Sequence, residues 1–349
     1  MRAVALDPKP NTLLDHLGVL SAILEIPLIV TEEKTYELAL SLYPQLNPIL
    51  KDPREILPPY LAEQFDLLFV TSKRCAIEMY PYFPLFHNKQ MRIVYCPHGN
   101  SDKGHSFTKE LHADEDISLV YGNHMIDLLK DTGMFDRIRH TVITGNYRKS
   151  FYEKNQDFYL KAAKKRVFPK LDPKKKTLFY CPTWSNRENP SSFFDACGLL
   201  VRQITPSFNL LIKPHPYLYE KNPAETTQII ERYKDHPQVL FLEDFPPIYP
   251  LLALSDAYIG DFSSIGYDFL SFDKPMYFFN TSSDRGSFLH QAGMTISKEN
   301  KENIFDWIEK SFEKNQREFS SLRKKLYNYT FGAEKSWEAL KNDIFLTTV

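Results

Sequence analysis

Residues 255–279 read SDAYIGDFSSIGYDFLSFDKPMYFF. Ala257, Tyr258 and Ile259 are apolar, follow a turn-like Ser-Asp pair and predict a strand. Gly260-Asp261 ends it. Ser263 and Ser264 stand where a helix should begin, and Ile265 to Phe272 reads as that helix. A serine at that position can accept an orphan backbone N–H. Lys274-Pro275 stops the helix, and Met276 to Phe279 is the next strand. The order is therefore strand, tight turn, helix, strand. In such a unit the helix N-terminus offers free N–H groups and the positive end of a dipole. Two serines there add hydroxyl donors, so a phosphate is the expected guest.

The same alternation extends to both sides. Upstream, strands are predicted at Ala3–Leu6, Leu28–Thr31, Leu67–Thr71, Ile93–Cys96, Leu119–Tyr121 and Val142–Thr144. The unbroken apolar runs mark strands buried on both faces of a parallel sheet. Helices are predicted from Asn11 to about Leu24 and from Thr35 to Leu42. Residues 43–60 carry Pro44, Pro48, Pro53, Pro58 and Pro59 and read as a proline-broken loop or lid. A second series follows at Thr177–Cys181, Asn209–Lys213, Val239–Leu242, Ala257–Gly260 and Met276–Phe279. From Asn303 to Phe345 the pattern is helical, with Trp307, Phe312, Leu322, Leu326 and Leu340 as core candidates. Strands alternating with helices predict an α/β protein of two Rossmann-like domains facing a cleft, with C-terminal helices. The expected divisions are 1–150, a linker and basic helix at 151–176, 177–300, and terminal helices at 301–349.

Composition narrows the function. The 349 residues are 43% hydrophobic and 25% charged, which is globular and long enough for two domains. A net charge of −1 gives no general affinity for polyanions, so nucleic acid is not an expected partner. Cys75, Cys96, Cys181 and Cys197 show no CxxC spacing and read as reduced, mostly buried thiols of a cytoplasmic protein. The N-terminus has too short an apolar run for a signal peptide, and no window is long and apolar enough to span a membrane. The run KAAKKRVFPKLDPKKK at 161–176 reads first as a solvated face. Its other reading, with 43–60, is peripheral contact with anionic lipid at the inner face of the membrane.

Four strand-end loops carry the polar residues that could do chemistry. They are CPHGN with His98, CPTWSNRE with Thr183, Trp184 and Arg187, IKPHPYL with Lys213 and His215, and GDFSS with Asp261, Ser263 and Ser264. Ligands in α/β sheets bind outside the carboxyl ends of the strands. Two histidines, a lysine and two serines at four such ends predict an anion site with an available base. Asp114-Glu115-Asp116 has the form of a metal-binding DxD but lies in a charged loop before a strand. GxGxxG, the P-loop and GxSxG are absent, so nicotinamide, ATP and serine-hydrolase chemistries lose their usual signatures. No cofactor is called for, and no metal cluster stands out.

PHG, PTW, KPHP and GDFSSIGYDFLSFDKP, in that order, resemble the CDP-glycerol glycerophosphotransferases of teichoic acid synthesis. Asp284-Arg285-Gly286 is similar to an Arg-Gly segment of that family, and the resemblance covers roughly His98 to Gly293. It implies a GT-B fold with the nucleotide in the C-terminal domain, and a metal-independent transferase. By that resemblance His98 is the base that deprotonates an acceptor hydroxyl. His215 and Lys213 hold the donor pyrophosphate, and Ser263 and Ser264 bind phosphate oxygens. Gly99, Arg148, Thr183, Asp261 and Arg285 complete the substrate-binding set. The implied partners are a CDP-alditol or other nucleotide donor and a lipid-linked or glycan acceptor.

The chain departs from the family pattern at three places. Gly145-Asn146-Tyr147-Arg148 stands for Gly-x-Pro-Arg, Ser185 follows Thr183-Trp184 where arginine is usual, and Asn100 follows His98-Gly99. The transferred group therefore stays open among CDP-glycerol, CDP-ribitol, another CDP-alditol and a nucleotide-sugar. A GT-B glycosyltransferase, a nucleotide-sugar epimerase and a non-catalytic nucleotide- or glycan-binding relative are the alternatives. Having both His98 and His215 argues against the last, because a pure binding module needs no base.

Overall fold

The computed structural model describes residues 2–7, 11–71, 79–100, 117–185, 190–279 and 288–347. The chain divides into two compact units. The first holds the described residues up to Asn100, those from there to Lys154, and those from Tyr329 onward; the second runs from Asn155 to Asn328.

The first unit is built on a parallel sheet of seven strands among the described residues. They are β1 (Ala3–Asp7), β2 (Leu28–Val30), β3 (Pro48–Leu50), β4 (Leu67–Val70), β5 (Arg92–Tyr95), β6 (Ile117–Val120) and β7 (His140–Ile143). Their order is β3-β2-β1-β4-β5-β6-β7. Val4, Ala5, Leu67, Leu68, Phe69, Val94, Ile117 and Leu119 have no exposed surface, so helices cover both faces. Burying each such Leu, Ile or Phe contributes about 1.5–3 kcal/mol. The proline-rich stretch 43–60 was expected as a loop. Instead it supplies β3, which pairs with β2 through Ile29 and Ile49, and the start of the helix Pro58–Gln64. Pro48 opens the edge strand and Pro58 the helix, positions where a missing N–H costs nothing.

The last residues return to this unit. The helix Ile304–Phe331 ends at Gly332, whose φ of 71° is left-handed, and the helix Trp337–Thr347 follows. Trp337 stacks on Phe151 with 5.8 Å between ring centres, and its indole N–H donates to Ser150 Oγ at 2.8 Å. Gly122 permits this return. A Cβ there would lie 2.4 Å from the Thr330 carbonyl oxygen.

The second unit has a parallel sheet of six strands among the described residues, in the order β10-β9-β8-β11-β12-β13. They are β8 (Lys176–Cys181), β9 (Phe208–Ile212), β10 (Val239–Phe241), β11 (Ala257–Gly260), β12 (Met276–Phe279) and β13 (Met294–Ile296). Leu178, Leu210, Ile212, Ile259 and Tyr277 lie in one core with Phe193, Leu200 and Ile308 of the flanking helices. The basic run 161–176 ends the helix Gln156–Arg166, whose Lys161, Lys164, Lys165 and Arg166 are exposed while Tyr159 and Ala163 are buried. Lys274 does more than end a helix. Its ammonium donates to the carbonyls of Ala253 (2.6 Å) and Ser255 (2.7 Å), closing the helix Ile248–Leu254.

Candidate functional site

Strand register puts three of the four loops of the sequence analysis on one edge. Gly260 pairs with Cys181, and Tyr180 with Ile212, so β8, β9 and β11 end at nearly the same level. The segments after them hold Thr183, Lys213, His215, Asp261, Ser263 and Ser264. In the order of this sheet, β8 and β11 flank the point where the winding reverses, the place where doubly wound sheets take ligands.

Asp261 is the brace of this edge. It has no exposed surface. One carboxylate oxygen accepts the Thr183 N–H at 2.8 Å; the other accepts the Ser192 N–H at 2.9 Å and its hydroxyl at 2.7 Å. These bonds tie the β8 loop and the start of the helix Phe193–Gln203 to the β11 turn. Charge-assisted bonds of this kind are among the stronger ones in proteins. Thr183, also buried, accepts from Ser191 Oγ through its carbonyl. Asp261 and Thr183, expected to touch substrate, fix these loops to one another. From behind, His290 approaches the Asp261 carbonyl with Nε2 at 3.1 Å, and its ring stacks on Phe278 at 4.6 Å. No motif marks His290, and its role emerges only when the 289–292 turn folds under β11.

Ser263 occupies the N-cap position of the helix Ser264–Phe269, but its hydroxyl makes no capping bond. The hydroxyl is therefore not committed to the helix, contrary to the capping role expected of it. Ser264 begins the helix and is half-buried. His215 caps the helix Pro216–Lys221, and its Nδ1 accepts the Tyr217 N–H at 3.1 Å. A neutral imidazole that accepts at Nδ1 carries its proton on Nε2. The ring lies among Trp184 and Tyr217, with centres at 6.3 and 5.4 Å, and the Lys221 ammonium sits 3.6 Å from the Trp184 ring centre. Lys213 is buried, with Nζ 3.5 Å from the Phe245 carbonyl. Burial pushes the nearby Cys181 thiol up, and the Lys213 charge opposes that shift.

In the first unit, β5 leads into Cys96-Pro97-His98-Gly99-Asn100. Pro97 is buried and His98 exposed. Gly99 has φ 130°, a conformation that side chains disfavour, so the glycine lets the chain turn directly after the histidine. Tyr121, just after β6, donates its hydroxyl to the Pro97 carbonyl at 2.9 Å, and the Tyr147 hydroxyl lies 3.5 Å from Cys96 Sγ. Arg148 is buried and pairs with Asp15, with Nη2 2.5 Å from Oδ2 and Nε 2.7 Å from the carbonyl oxygen. Arg148, expected as a substrate contact, is tied here to Asp15 at the end of the first 3-10 turn. His98, Gly99 and Arg148 thus belong to one unit, and the other described site residues to the second. Arg285, Arg187, Cys75 and the 114–116 acidic run lie outside the described residues. Cys96, Cys181 and Cys197 are buried.

The chain is similar to the teichoic acid poly(ribitol-phosphate) polymerase of Bacillus spizizenii, at 26% identity over 210 residues, 58% of this chain and 31% of that one. It is also similar to the teichoic acid glycerol-phosphate transferase of Staphylococcus aureus, at 28% over 173 residues, 47% of this chain and 41% of that one. The matched segments thus span less than half of these curated relatives. Among solved structures, the wall teichoic acid polymerase TagF superposes with a TM-score of 0.65 at 12% identity, covering 100% of this chain and 87% of that one. S. aureus MnaA, solved with UDP, gives 0.60 at 15%, covering 100% and 98%. These likenesses identify the fold as α/β of the GT-B type. The family description "CDP-Glycerol:Poly(glycerophosphate) glycerophosphotransferase" fits residues 96–332, more than half of the chain, and the protein belongs to that family.

Proposed function

We propose that this protein moves an alditol phosphate from a CDP-alditol to a hydroxyl of a polymer or lipid-linked acceptor. The acceptor oxygen attacks the phosphorus that bears the alditol. The bond from that phosphorus to the bridging oxygen breaks, its electron pair leaves with CMP, and the hydroxyl proton passes to His98. The observation that carries this reading is the set of donors at the β8, β9 and β11 ends. His215 presents Nε2–H, Ser263 has a hydroxyl not used for capping, and Lys213 adds positive charge. Such preorganised donors stabilise charge that develops on a leaving phosphate. Asp261 ties the β8 and β11 loops together, and Gly99 lets the chain turn directly after His98. In this reading the basic side chains take the part that a metal ion plays in other phosphoryl transfers.

Calorimetry with CMP and CDP-glycerol, with and without chelator, tests the donor side. Binding is expected to survive chelation and to weaken by about 1–3 kcal/mol in the Ser263→Ala, Ser264→Ala double variant, which keeps the backbone donors. A strict Mg²⁺ requirement contradicts the metal-free reading. Tighter binding of UDP-sugars than of CDP-alditols favours the nucleotide-sugar alternatives.

Among the described residues, no helix is long and apolar enough to cross a membrane. A lipid-linked acceptor still requires contact with a bilayer, placed here at the inner face of the cell membrane. Tyr82, Leu85 and Phe86, on the short helix Tyr82–His87, are 49%, 73% and 70% exposed. They suit shallow insertion better than the basic run 161–176 does, because that run carries charge without an apolar face.

A further inference from the structure

His16 stands between the 3-10 turn Asn11–Asp15 and the helix Leu17–Leu24, outside the segment fitted by the family description. Its Nδ1 lies 3.1 Å from the Tyr121 hydroxyl. That hydroxyl has one proton, and it goes to the Pro97 carbonyl at 2.9 Å. His16 Nδ1 must then be the donor, and Nε2 carries the lone pair. Nε2 has no hydrogen-bond partner among the described residues, and the side chain is half-buried. The backbone and neighbours that carry the ring are fixed as well. Tyr147 donates its hydroxyl to the His16 carbonyl at 3.2 Å and stacks on Tyr121 at 5.9 Å, while Arg148 pairs with the preceding Asp15. His98 is within electrostatic reach. Burial, the Arg148 charge and His98 together push the His16 pKa well below the ordinary value. A nitrogen so hard to protonate is a poor base but a steady hydrogen-bond acceptor.

We propose that His16 Nε2 receives a hydrogen bond from a second, non-reacting hydroxyl of the acceptor, beside the one whose proton His98 takes. The site then selects an acceptor that ends in a vicinal diol. The inference rests on the reading that the first unit handles the acceptor. A single tyrosine serves both histidines: it orients His16 through Nδ1 and holds the His98 loop through Pro97.

Three variants separate recognition from support. His16→Asn keeps an N–H near Nδ1 for Tyr121 but removes the outer acceptor. His16→Gln places an amide oxygen near Nε2, and His16→Ala removes both. With CDP-glycerol as donor, kcat/KM is compared for glycerol 3-phosphate and for 3-hydroxypropyl phosphate, which lacks the second hydroxyl. His16→Asn and His16→Ala are expected to lose about tenfold on the diol, the usual worth of one hydrogen bond, and to change little on the mono-alcohol. His16→Gln should recover most of the loss. Equal losses on both acceptors, or rescue by Asn and not Gln, overturn the proposal in favour of a supporting role. A binding arm needs no turnover. In nitrogen-15 spectra of the full chain, the His16 ring signals should shift on adding glycerol 3-phosphate and not 3-hydroxypropyl phosphate. No shift with either overturns the proposal. A shift without CMP release by the wild-type protein leaves recognition intact and removes the transferase reading.

Discussion

Arg323 has no exposed surface, while its neighbour Leu322 is half-buried. The helical pattern marks Leu322 for the core, and the structure corrects this because Arg323 has a partner fifty positions away. Its Nε donates to Asp273 Oδ1 at 2.8 Å, and its other nitrogens reach the Gln316 carbonyl (2.9 Å) and Asn315 Oδ1 (3.2 Å). Burial raises the Asp273 pKa, but bonds from Ser320, Arg323 and Lys324 outweigh it and hold the carboxyl below the usual range. A depressed folded pKa contributes stability above the unfolded value of about 3.9 and loses it as pH falls through the folded value. Asp273→Asn is expected to cost about 3–5 kcal/mol in urea unfolding at pH 7, because it leaves a buried guanidinium without its counter-charge. The gap from wild type should narrow below about pH 4. A gap that stays constant with pH contradicts this account. His16 was illegible for the same reason as Arg323. Its meaning depends on Tyr121, 105 positions away. The placement of His98, Lys213, His215 and the Asp261–Ser264 turn at strand ends was legible because each follows an apolar strand within three residues.

Strands β11 and β12 lie where the apolar runs place them, and most others, β8 included, within a residue or two. The edge strands β3 and β13 escaped the reading. Three residues are too few to show a period, and both are only partly buried. The N-cap position was read correctly at Ser263, but its hydroxyl makes no capping bond, since position alone does not say where a hydroxyl points. The helix Tyr82–His87 also escaped, because Pro84 and six residues give no helical repeat. Phe83 is buried beneath it, while Tyr82 and Phe86 stack at 5.6 Å on the outer side. Vesicle co-sedimentation tests its proposed use. Binding through these rings should persist at high salt and fall in a Leu85→Ser, Phe86→Ser double variant. Binding that disappears with salt and ignores the variant points to the basic run instead.

The division into two units could be read from two successive strand series. The return of the chain could not, because 303–345 looks like one helical run; Gly332 and the Gly122–Thr330 approach reveal the break only once folded. The account assigns acceptor chemistry to the first unit and donor chemistry to the second, and kinetics of two histidine variants test this division. CMP release from CDP-glycerol is measured together with donor affinity. His98→Ala should keep donor affinity and lose about 10²–10⁴-fold in turnover, the usual worth of general base catalysis. His215→Ala should lose donor affinity as well as turnover, since it removes a partner present before the transition state. Full turnover in His98→Ala, with His215→Ala inactive at unchanged donor affinity, would contradict the assignment.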